Sequence, residues 1–485
     1  MSKIISRIQL LLKSTIVFYI VILSILSINT LLFITDYRPD STTQKREDAS
    51  GFSMSSAEKF IYFYYYTWNF PLATLNSNLK YSEQDAQKEI KENGEDLIME
   101  YHHWSRLGES ARIWAFLPNA FISGSPEKPS IRLFNIIIFT LSLIILYIGF
   151  WHANFKLHGL LLVILINITP FYLFEVYTND NIFALLGSVF FMILGLNISL
   201  ILKSKIRFKR ILGAAIISGS IIGLFSELRN EISMVIVSLI LIYFISNGLK
   251  IHFKIILITI CILSFYGSKQ LIRNHFNHKF EETASLVAEH NGHVYNGARI
   301  SGHKFWHPVF CGLGDFDTKY GYEWNDKVAY KYAVPILQNK YGMDISFTEK
   351  YHLDNYYDSD SLYYVKFDEI EEYETIVKDK VINDIIGDPF WYIEIITKRI
   401  IRTLSTTIPF GYIGWFIFYI LFLSIKNKNL DYHLKLILVS LPLSATSIII
   451  YSGKGATYNS VFVYFVIVAL VFIIFKEGKK AINKT

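Results

Sequence analysis

The apolar stretch IRLFNIIIFTLSLIILYIGFW, at residues 131–151, decides the fold class of this chain. It contains a single charged residue, Arg132, and as a helix it can cross a hydrocarbon core, which takes roughly 20 residues. Nine further apolar runs of this kind lie at 15–35, 158–175, 181–202, 211–226, 232–248, 253–268, 408–425, 434–452 and 458–475. The sequence therefore predicts an all-α polytopic membrane protein with about ten transmembrane helices.

The composition of the 485-residue chain agrees with this prediction. Hydrophobic residues make up 52% and charged residues 18%, against roughly 25% charged residues in an average soluble domain, which excludes an ordinary soluble enzyme. The 38 Phe and 32 Tyr residues exclude a disordered chain. The net charge of +6 is spread over short connections, so no nucleic-acid partner is predicted. The two cysteines, Cys261 and Cys311, indicate neither a disulfide framework nor a thiolate metal site.

Lys and Arg residues indicate how these runs are oriented, since positive charge is retained on the cytoplasmic side of a membrane. The N-terminus, the connections after the second, fourth, sixth and eighth runs, and the C-terminal tail carry 18 basic residues, counted to the first turn of the following run. The same segments carry two acidic residues, Asp431 and Glu477. Both termini are therefore predicted to be cytoplasmic, and the segments 36–130 and 269–407 to be extracytoplasmic.

This topology divides the chain into five parts. They are a cytoplasmic N-terminus with the first transmembrane helix, an extracytoplasmic loop with juxtamembrane helices, transmembrane helices 2–7, a large extracytoplasmic segment, and transmembrane helices 8–10 with a basic cytoplasmic tail. Their bounds are 1–35, 36–130, 131–268, 269–407 and 408–485. Within the extracytoplasmic parts the sequence predicts a helix over 82–107 and an amphipathic, interfacial helix over 388–402. Any chemistry is expected on this side of the membrane.

Asp36 is the first candidate for chemistry, because it places an ionisable side chain at the outer mouth of the first run. A carboxylate at the membrane edge can take a proton from an acceptor hydroxyl as a general base. The alternative is a solvated acid that only ends the helix.

The short outer turn between the third and fourth runs carries a second group of candidates. Glu175 and Asp180 flank Thr178 and Asn179 there, and these oxygens could bind a divalent cation or position a substrate hydroxyl. Asp180 is equally well explained as the N-cap of the following helix.

The outer connection between the fifth and sixth runs has the sequence SELRNE, residues 226–231. An Arg in such a turn is expected to pair with Glu227 or Glu231, or with a phosphate at the depth of the lipid headgroups. Arg229 and Glu231 are therefore candidate substrate-binding residues, and in a helical bundle they could converge with the acids of the other outer turns.

Histidines are concentrated at the start of the second extracytoplasmic segment. Six of the chain's 13 lie there, at His275, His278, His290, His293, His303 and His307. Their spacing allows zinc, but no His-Glu-x-x-His arrangement accompanies it. The favoured interpretation is hydrogen bonding of His303, Trp306 and His307 to a sugar or phosphate, with Trp306 and residues 312–315 forming an aromatic-lined pocket.

Together these residues resemble the type C glycosyltransferases (GT-C fold), membrane enzymes that use sugars linked to polyprenyl phosphate. Those enzymes have a cytoplasmic N-terminus and a catalytic acid directly after the first span, which Asp36 matches. Glu175 and Asp180 match acids in the turn between spans 3 and 4, and Arg229 matches an Arg that contacts the lipid phosphate. The chain lacks the Asp-Glu pair of protein mannosyltransferases and the Trp-Trp-Asp motif of oligosaccharyltransferases.

The resemblance implies a hexosyl- or pentosyltransferase of the bacterial inner membrane, with its site on the extracytoplasmic face. It would transfer a sugar from a polyprenyl-phosphate donor to an envelope glycan, lipid or protein. Asp36 would be the general base, and Arg229 would neutralise the leaving phosphate. Glu175 and Asp180 would orient the acceptor or, together with Asp36, hold a divalent cation, and the need for a cofactor stays open.

Two other functions remain as alternatives. An O-antigen-type polymerase or ligase would use a lipid diphosphate, and such proteins usually carry paired arginines in their outer loops. Here the arginines of the second extracytoplasmic segment are scattered, at Arg273, Arg299, Arg399 and Arg402. A transporter is less well supported, because ionisable residues are nearly absent from the apolar runs.

Overall fold

A computed structural model provides the structure of the chain. It describes Lys88, Glu92, Val176, Val294 and the ranges 14–35, 73–75, 99–102, 107–123, 131–169, 184–202, 208–292, 305–343, 353–358, 361–366, 370–405, 411–426, 431–449 and 456–482. Most of these residues lie in helices.

The helices are numbered in chain order. They are α1 (Thr15–Ile34), α2 (Leu107–Ser123), α3 (Arg132–His152), α4 (Lys156–Ile168), α5 (Ala184–Leu202), α6 (Phe208–Leu228), α7 (Met234–Ile245), α8 (Ile251–Glu289), α9 (Trp306–Leu313), α10 (Asp326–Tyr341), α11 (Glu371–Gly387), α12 (Pro389–Ser405), α13 (Phe416–Lys426), α14 (Asp431–Ile449) and α15 (Ala456–Ile482). Two short 3-10 helices, Asn230–Ser233 and Ile413–Trp415, precede α7 and α13.

Each of the ten predicted apolar runs overlaps with one of these helices. Within the described residues, α1, α3, α6, α8 and the segment Leu185–Leu202 of α5 are long and apolar enough to cross a membrane. Shorter apolar helices accompany them at Lys156–Ile168, Asn230–Ile245, Ile413–Lys426 and Val461–Phe475. Length and composition therefore indicate a membrane-embedded helical protein.

Small residues set the packing of α6 against α8. A methyl group at Gly219 would collide with the carbonyl oxygen of Cys261, and one at Gly223 would collide with that of Phe265. Two glycines four residues apart let two helix backbones approach closely, which is a common way to pack helices in a membrane. Both contacts join residues that are 42 positions apart, so α6 and α8 run parallel in one fixed register. The same offset brings Glu227, at the end of α6, to α8.

Helix α1 runs antiparallel to α3. Near its start, Phe18 stacks on Tyr147, with ring centroids 5.9 Å apart, and lies 4.8 Å from the ring of Trp151. Near its end, the carbonyl oxygen of Leu32 lies 3.5 Å from Nη2 of Arg132, the first residue of α3. The end of α1 and the start of α3 therefore lie together at one end of the bundle.

A buried polar contact joins three of the apolar helices. Asn197 Nδ2 of α5 donates to Ser218 Oγ of α6 at 2.8 Å, and the Tyr243 hydroxyl of α7 lies 3.5 Å from Asn197 Oδ1. Hydrogen bonds of this kind hold helices together where the surroundings offer no water.

A second hydrophobic core lies in the polar part of the chain, between α9, α10, α11 and α12. Its fully buried members include Leu313, Ala333, Leu337, Tyr373 and Val377. The predicted amphipathic helix over 388–402 is present as α12, while its place at a membrane interface stays a prediction.

Two antiparallel strand pairs are exceptions to the all-α prediction in the described residues. One pairs β1 (Ala73–Leu75) with β2 (Met99–His102), and the other pairs β3 (Leu353–Asp358) with β4 (Ser361–Lys366). The helix predicted over 82–107 is therefore wrong at β2. The local pattern of this segment suits a helix, but the backbone of β2 pairs with β1, some 25 residues earlier. A local pattern does not encode such a pairing.

The boundary predicted between residues 268 and 269 falls inside a single helix. Helix α8 is 39 residues long, about 58 Å at the usual rise per residue, and continues well past the apolar run. Beyond that run its buried residues are Ile272, Phe276, Phe280, Thr283 and Val287. This spacing of three and four residues keeps one face of the helix apolar, so the helix carries on where the overall hydropathy falls.

Candidate polar site at one end of the helix bundle

Glu227 is a buried carboxylate at the end of α6. Its side chain is 2% exposed, and its Oε1 lies 3.2 Å from Lys269 Nζ and 3.1 Å from Arg273 Nε. Lys269 and Arg273 are four residues apart on α8, which places both on one face of that helix. The parallel register of α6 and α8 brings this face to Glu227. One carboxylate thus pairs with two cations, and one positive charge is not neutralised.

Arg229 and Glu231 form a second ion pair in the same connection. Arg229 Nε lies 3.1 Å from Glu231 Oε2, and Arg229 Nη2 donates to Glu231 Oε1 at 3.1 Å. The Nη2 contact is a charge-assisted hydrogen bond, and the Nε contact is an ion pair without hydrogen-bond geometry. Glu231 is one of the partners predicted for Arg229, and the structure shows this ion pair. Glu227, another predicted partner, instead pairs with Lys269 and Arg273 of α8.

Arg132 adds a further cation at this end of the bundle. It is buried, its guanidinium carbon lies 5.6 Å from the ring centroid of Phe33, and Nη2 lies close to the Leu32 carbonyl. The contact of Phe134 with Phe225, with centroids 6.1 Å apart, connects this position to the end of α6.

These six ionisable residues form what we call the charged end of the bundle: Arg132, Glu227, Arg229, Glu231, Lys269 and Arg273. Four are cations and two are anions, so the group carries a net charge of +2. Its most accessible cation is Arg273, whose side chain is 34% exposed. Such a group at the end of an apolar bundle is suited to an anion whose tail lies in the bilayer.

Several predicted site residues lie outside the described residues. They are Asp36, Glu175, Asp180 and His303. The described chain before Asp36 ends at Thr35, one turn beyond the Leu32 carbonyl that meets Arg132. The convergence of Asp36, Glu175 and Asp180 with the charged end stays a prediction.

His307 was expected to face a sugar or phosphate, but it is buried in the second core. Its ring stacks on Tyr330 with centroids 5.3 Å apart, and Nδ1 lies 2.5 Å from the Tyr373 hydroxyl oxygen. Nε2 lies 3.2 Å from Asp326 Oδ1. The spacing of the histidines singled out His307 but could not predict that Tyr330 and Tyr373 enclose it, because these residues come from α10 and α11.

The aromatic-lined pocket predicted from Trp306 and residues 312–315 is not formed by their described contacts. The Trp306 backbone N–H donates to Glu374 Oε1 at 2.7 Å, and the ring packs against the second core. Gly314 lies against the backbone of Glu323, where no β-carbon would fit. Asp315 Oδ2 accepts a hydrogen bond from Arg402 Nη2 at 2.8 Å. These groups serve the packing of the second core on α12.

Arg399 is a buried cation that sequence reasoning did not single out. Its guanidinium donates to the carbonyl oxygen of Gly312, and Nη1 lies 3.0 Å from the Ile448 carbonyl oxygen and 3.3 Å from that of Ile449. It therefore joins α12 to α9 and to the end of α14. Burial lowers the pKa of Arg399 to about 10, so it remains charged at neutral pH.

Two residues of the charged end were not predicted as site residues, although the sequence indicates their position. Lys269 and Arg273 follow directly after an apolar run at a spacing of four, which predicts two cations on one helix face at the membrane boundary. Their partner Glu227 was named in the sequence only as a possible partner of Arg229.

One group of described side chains has the composition of a metal site. His307, Cys311 and Asp326 each offer a ligand atom, and these atoms lie within 4.8 Å of one another. The residues predicted to hold a cation, Asp36 with Glu175 and Asp180, are not among them.

Similarity to known proteins does not narrow the choice of function. No family model, curated protein or solved structure matches the chain.

Proposed function

We propose that the chain is a membrane glycosyltransferase that transfers a sugar from a polyprenyl-phosphate donor to an acceptor on an envelope glycan, lipid or protein. The observation that carries the proposal is the charged end, with four cations against two anions at the end of an apolar helix bundle. The type of reaction comes from the resemblance to GT-C enzymes.

A polyprenyl-phosphate donor has two parts that need different surroundings. The hydrocarbon tail needs apolar surface at bilayer depth, which the helices α1 and α3 to α8 provide. The phosphate needs cations where that surface ends, and Arg273 is the most accessible cation there. A phosphate that approaches Arg273 competes with Glu227, and Lys269 keeps the carboxylate paired when Arg273 turns to the ligand.

In the proposed reaction the acceptor oxygen forms a bond to the anomeric carbon of the sugar. The bond between that carbon and the phosphate oxygen breaks, and its electron pair stays on the phosphate. Asp36 takes the hydroxyl proton as general base. Arg273, together with Arg229, stabilises the negative charge that develops on the leaving phosphate. Glu175 and Asp180 orient the acceptor or hold a divalent cation.

The proposal includes a topology of ten transmembrane helices with both termini in the cytoplasm of a bacterium. The positive residues of alternate connections support it. Asp36 follows directly after α1, whose last turn contacts Arg132, so this topology brings the base and the cations to the extracytoplasmic face.

An O-antigen-type polymerase or ligase is a second candidate, favoured by the placement of two arginines. Arg399 and Arg402 lie one turn apart on α12 and are not scattered as the sequence suggested. Both have partners within the protein, however, since Arg399 donates to backbone carbonyls and Arg402 pairs with Asp315. The mass of the product separates the candidates: a monosaccharide transferase adds one sugar, and a polymerase or ligase adds whole repeat units.

The proposal is tested by complementation of a strain that lacks the gene. The strain receives wild type, Asp36→Asn, Arg273→Gln or the control Lys378→Gln, which removes an exposed cation of α11. Membrane levels are matched, and envelope glycolipids are compared by mass spectrometry. We expect wild type and Lys378→Gln to restore a species one sugar heavier and Asp36→Asn to restore none. Arg273→Gln should lower its rate of formation by about 100-fold, as removal of one anion-stabilising donor does.

Three results would contradict the proposal. Full activity of Asp36→Asn would show that this carboxylate is not the base. A product that is heavier by several sugars would favour the polymerase or ligase. Unchanged activity of Arg273→Gln would remove the charged end from the donor site.

A further inference from the structure

We propose that His307, Cys311 and Asp326 form a zinc-binding site within the second core. His307 and Cys311 are four residues apart on α9, so both side chains project from one face of that helix. Asp326 is the first residue of α10, and its position is fixed by Asn325, whose side chain caps that helix. The three residues thus come from two helix segments that are packed together, and the proposal is independent of the glycosyltransferase function.

The distances between the three ligand atoms fit a tetrahedral zinc ion. His307 Nε2 lies 3.2 Å from Asp326 Oδ1, and Cys311 Sγ lies 3.7 Å from each of them. Usual zinc bond lengths at tetrahedral angles require about 3.3 Å between nitrogen and oxygen and about 3.5–3.6 Å between sulfur and either. The three atoms therefore already occupy three corners of a zinc tetrahedron to within a few tenths of an ångström.

The surroundings of His307 hold its ring in the orientation that a metal ligand needs. The Tyr373 hydroxyl oxygen lies 2.5 Å from Nδ1, on the side of the ring away from Cys311 and Asp326, and Tyr330 stacks on the ring face. With zinc on Nε2, the Nδ1–H donates to the Tyr373 oxygen. A hydrogen-bond partner on the second ring nitrogen is the usual support of a metal-bound histidine.

The charges and the exposure of the ligands also suit a zinc ion. A thiolate and a carboxylate neutralise Zn²⁺, so the loaded site adds no net charge to a buried region. His307 and Cys311 are buried, whereas the Asp326 side chain is 55% exposed. The ion is therefore reached from the Asp326 side, and the three protein ligands leave its fourth position for a water molecule. Three protein ligands with one exchangeable position are the arrangement that leaves zinc open to water.

Metal binding is tested on the full chain purified in detergent. The protein is equilibrated with Zn²⁺, passed over a chelating resin and analysed for metal content. A parallel sample receives Co²⁺, whose charge-transfer absorption reports a thiolate bond. The variants are Cys311→Ser and Asp326→Asn, and the matched control is Cys261→Ser, which changes the other cysteine, buried in the helix bundle.

We expect one zinc per chain and a thiolate-to-cobalt band in wild type and in Cys261→Ser. Cys311→Ser should lose the band, and Asp326→Asn should lose most of the bound zinc. Tyr373→Phe should keep the band but bind zinc about 10- to 100-fold more weakly, as loss of a partner behind a metal-bound histidine does. Wild type without stoichiometric zinc or without the band would overturn the proposal and leave a hydrogen-bonded His-Cys-Asp group.

A measurement on wild type alone decides the case in which Cys311→Ser does not fold. The rates at which a maleimide modifies Cys311 and Cys261 are followed by peptide mass spectrometry with and without Zn²⁺. Zinc should slow the modification of Cys311 at least tenfold and leave that of Cys261 unchanged. Equal rates at Cys311 with and without Zn²⁺ would also overturn the proposal.

Discussion

Charge is buried in two regions of this molecule, and each region stabilises it in a different way. At the charged end of the bundle, Glu227 is neutralised by the side chains of Lys269 and Arg273. Around the second core, Arg399 donates to three backbone carbonyls. Asp317 accepts from three backbone N–H groups and the Trp391 indole, at 2.8–3.1 Å.

The difference shows which buried charges are available to a ligand. A side-chain cation can leave its carboxylate for an anion of similar charge, because the carboxylate keeps its second cation. A charge that is held by the backbone cannot change partners unless the fold opens, since its partners are fixed by secondary structure. The charged end is therefore suited to exchange, and the contacts of Arg399 and Asp317 are suited to stability.

Replacement of Arg399 by Met should have the largest effect on stability. It leaves the carbonyls of Gly312, Ile448 and Ile449 without this donor, and the loss costs roughly 1–3 kcal/mol at a buried acceptor such as the Gly312 carbonyl. We expect most of the protein to be misfolded, as measured by size-exclusion chromatography of a fluorescent fusion. The control is Lys398→Met, which changes the neighbouring cation on the exposed side of α12. A wild-type profile for Arg399→Met would show that the backbone contacts contribute little.

Glu227→Gln should have the next largest effect on stability. The size of this effect should depend on added anions. Removal of one partner from a buried ion pair costs roughly 3–5 kcal/mol, and here it leaves Lys269 and Arg273 facing each other. We therefore expect a lower melting temperature in detergent. Polyprenyl phosphate should raise it more in the variant than in wild type.

Glu323→Gln, which changes an exposed acid in the second core region, is the control for Glu227→Gln. An anion response that is equal in Glu227→Gln, Glu323→Gln and wild type would show that phosphate does not reach the freed cations. The cations of the charged end would then not be exchangeable, and they would not differ in this respect from the charges held by the backbone.

Much of the bundle could be predicted from the sequence, because span length and hydropathy are local properties. The helices of the ten runs, and the amphipathic α12, follow from that information alone. The second core could not be predicted in this way. Cys311 and Asp326 are 15 residues apart and Tyr373 lies 62 residues beyond Cys311, so their meeting around His307 depends on how three helices pack. The burial of His307 could not be predicted for the same reason.

Asp317→Asn should have a moderate effect. The carboxylate accepts hydrogen bonds from the backbone N–H groups of Lys319, Tyr320 and Tyr322, and bonds to a charged group contribute about 1.5–3 kcal/mol. An amide presents one oxygen in place of two and carries no charge, so we expect a lower melting temperature. Asp388→Asn, which removes the charged partner of the exposed Lys319, should have a smaller effect. Equal effects of the two variants would mean that the turn at Asp317 does not stabilise the second core.

The smallest predicted effect is a dependence of stability on pH that arises from Asp317. Burial alone would raise the pKa of this carboxyl, but hydrogen bonds from the Lys319, Tyr322 and Tyr320 backbone N–H groups and the Trp391 side chain bring it below the usual range. In the unfolded chain the pKa returns to about 3.9. A carboxyl whose pKa is lower in the folded state contributes stability above the unfolded value and loses it as the pH falls through the folded value. The difference in melting temperature between wild type and Asp317→Asn should therefore be constant near neutral pH and shrink below about pH 4. A difference that stays constant down to pH 2 would show that charge on Asp317 is not what holds the turn, and that an uncharged acceptor serves equally well.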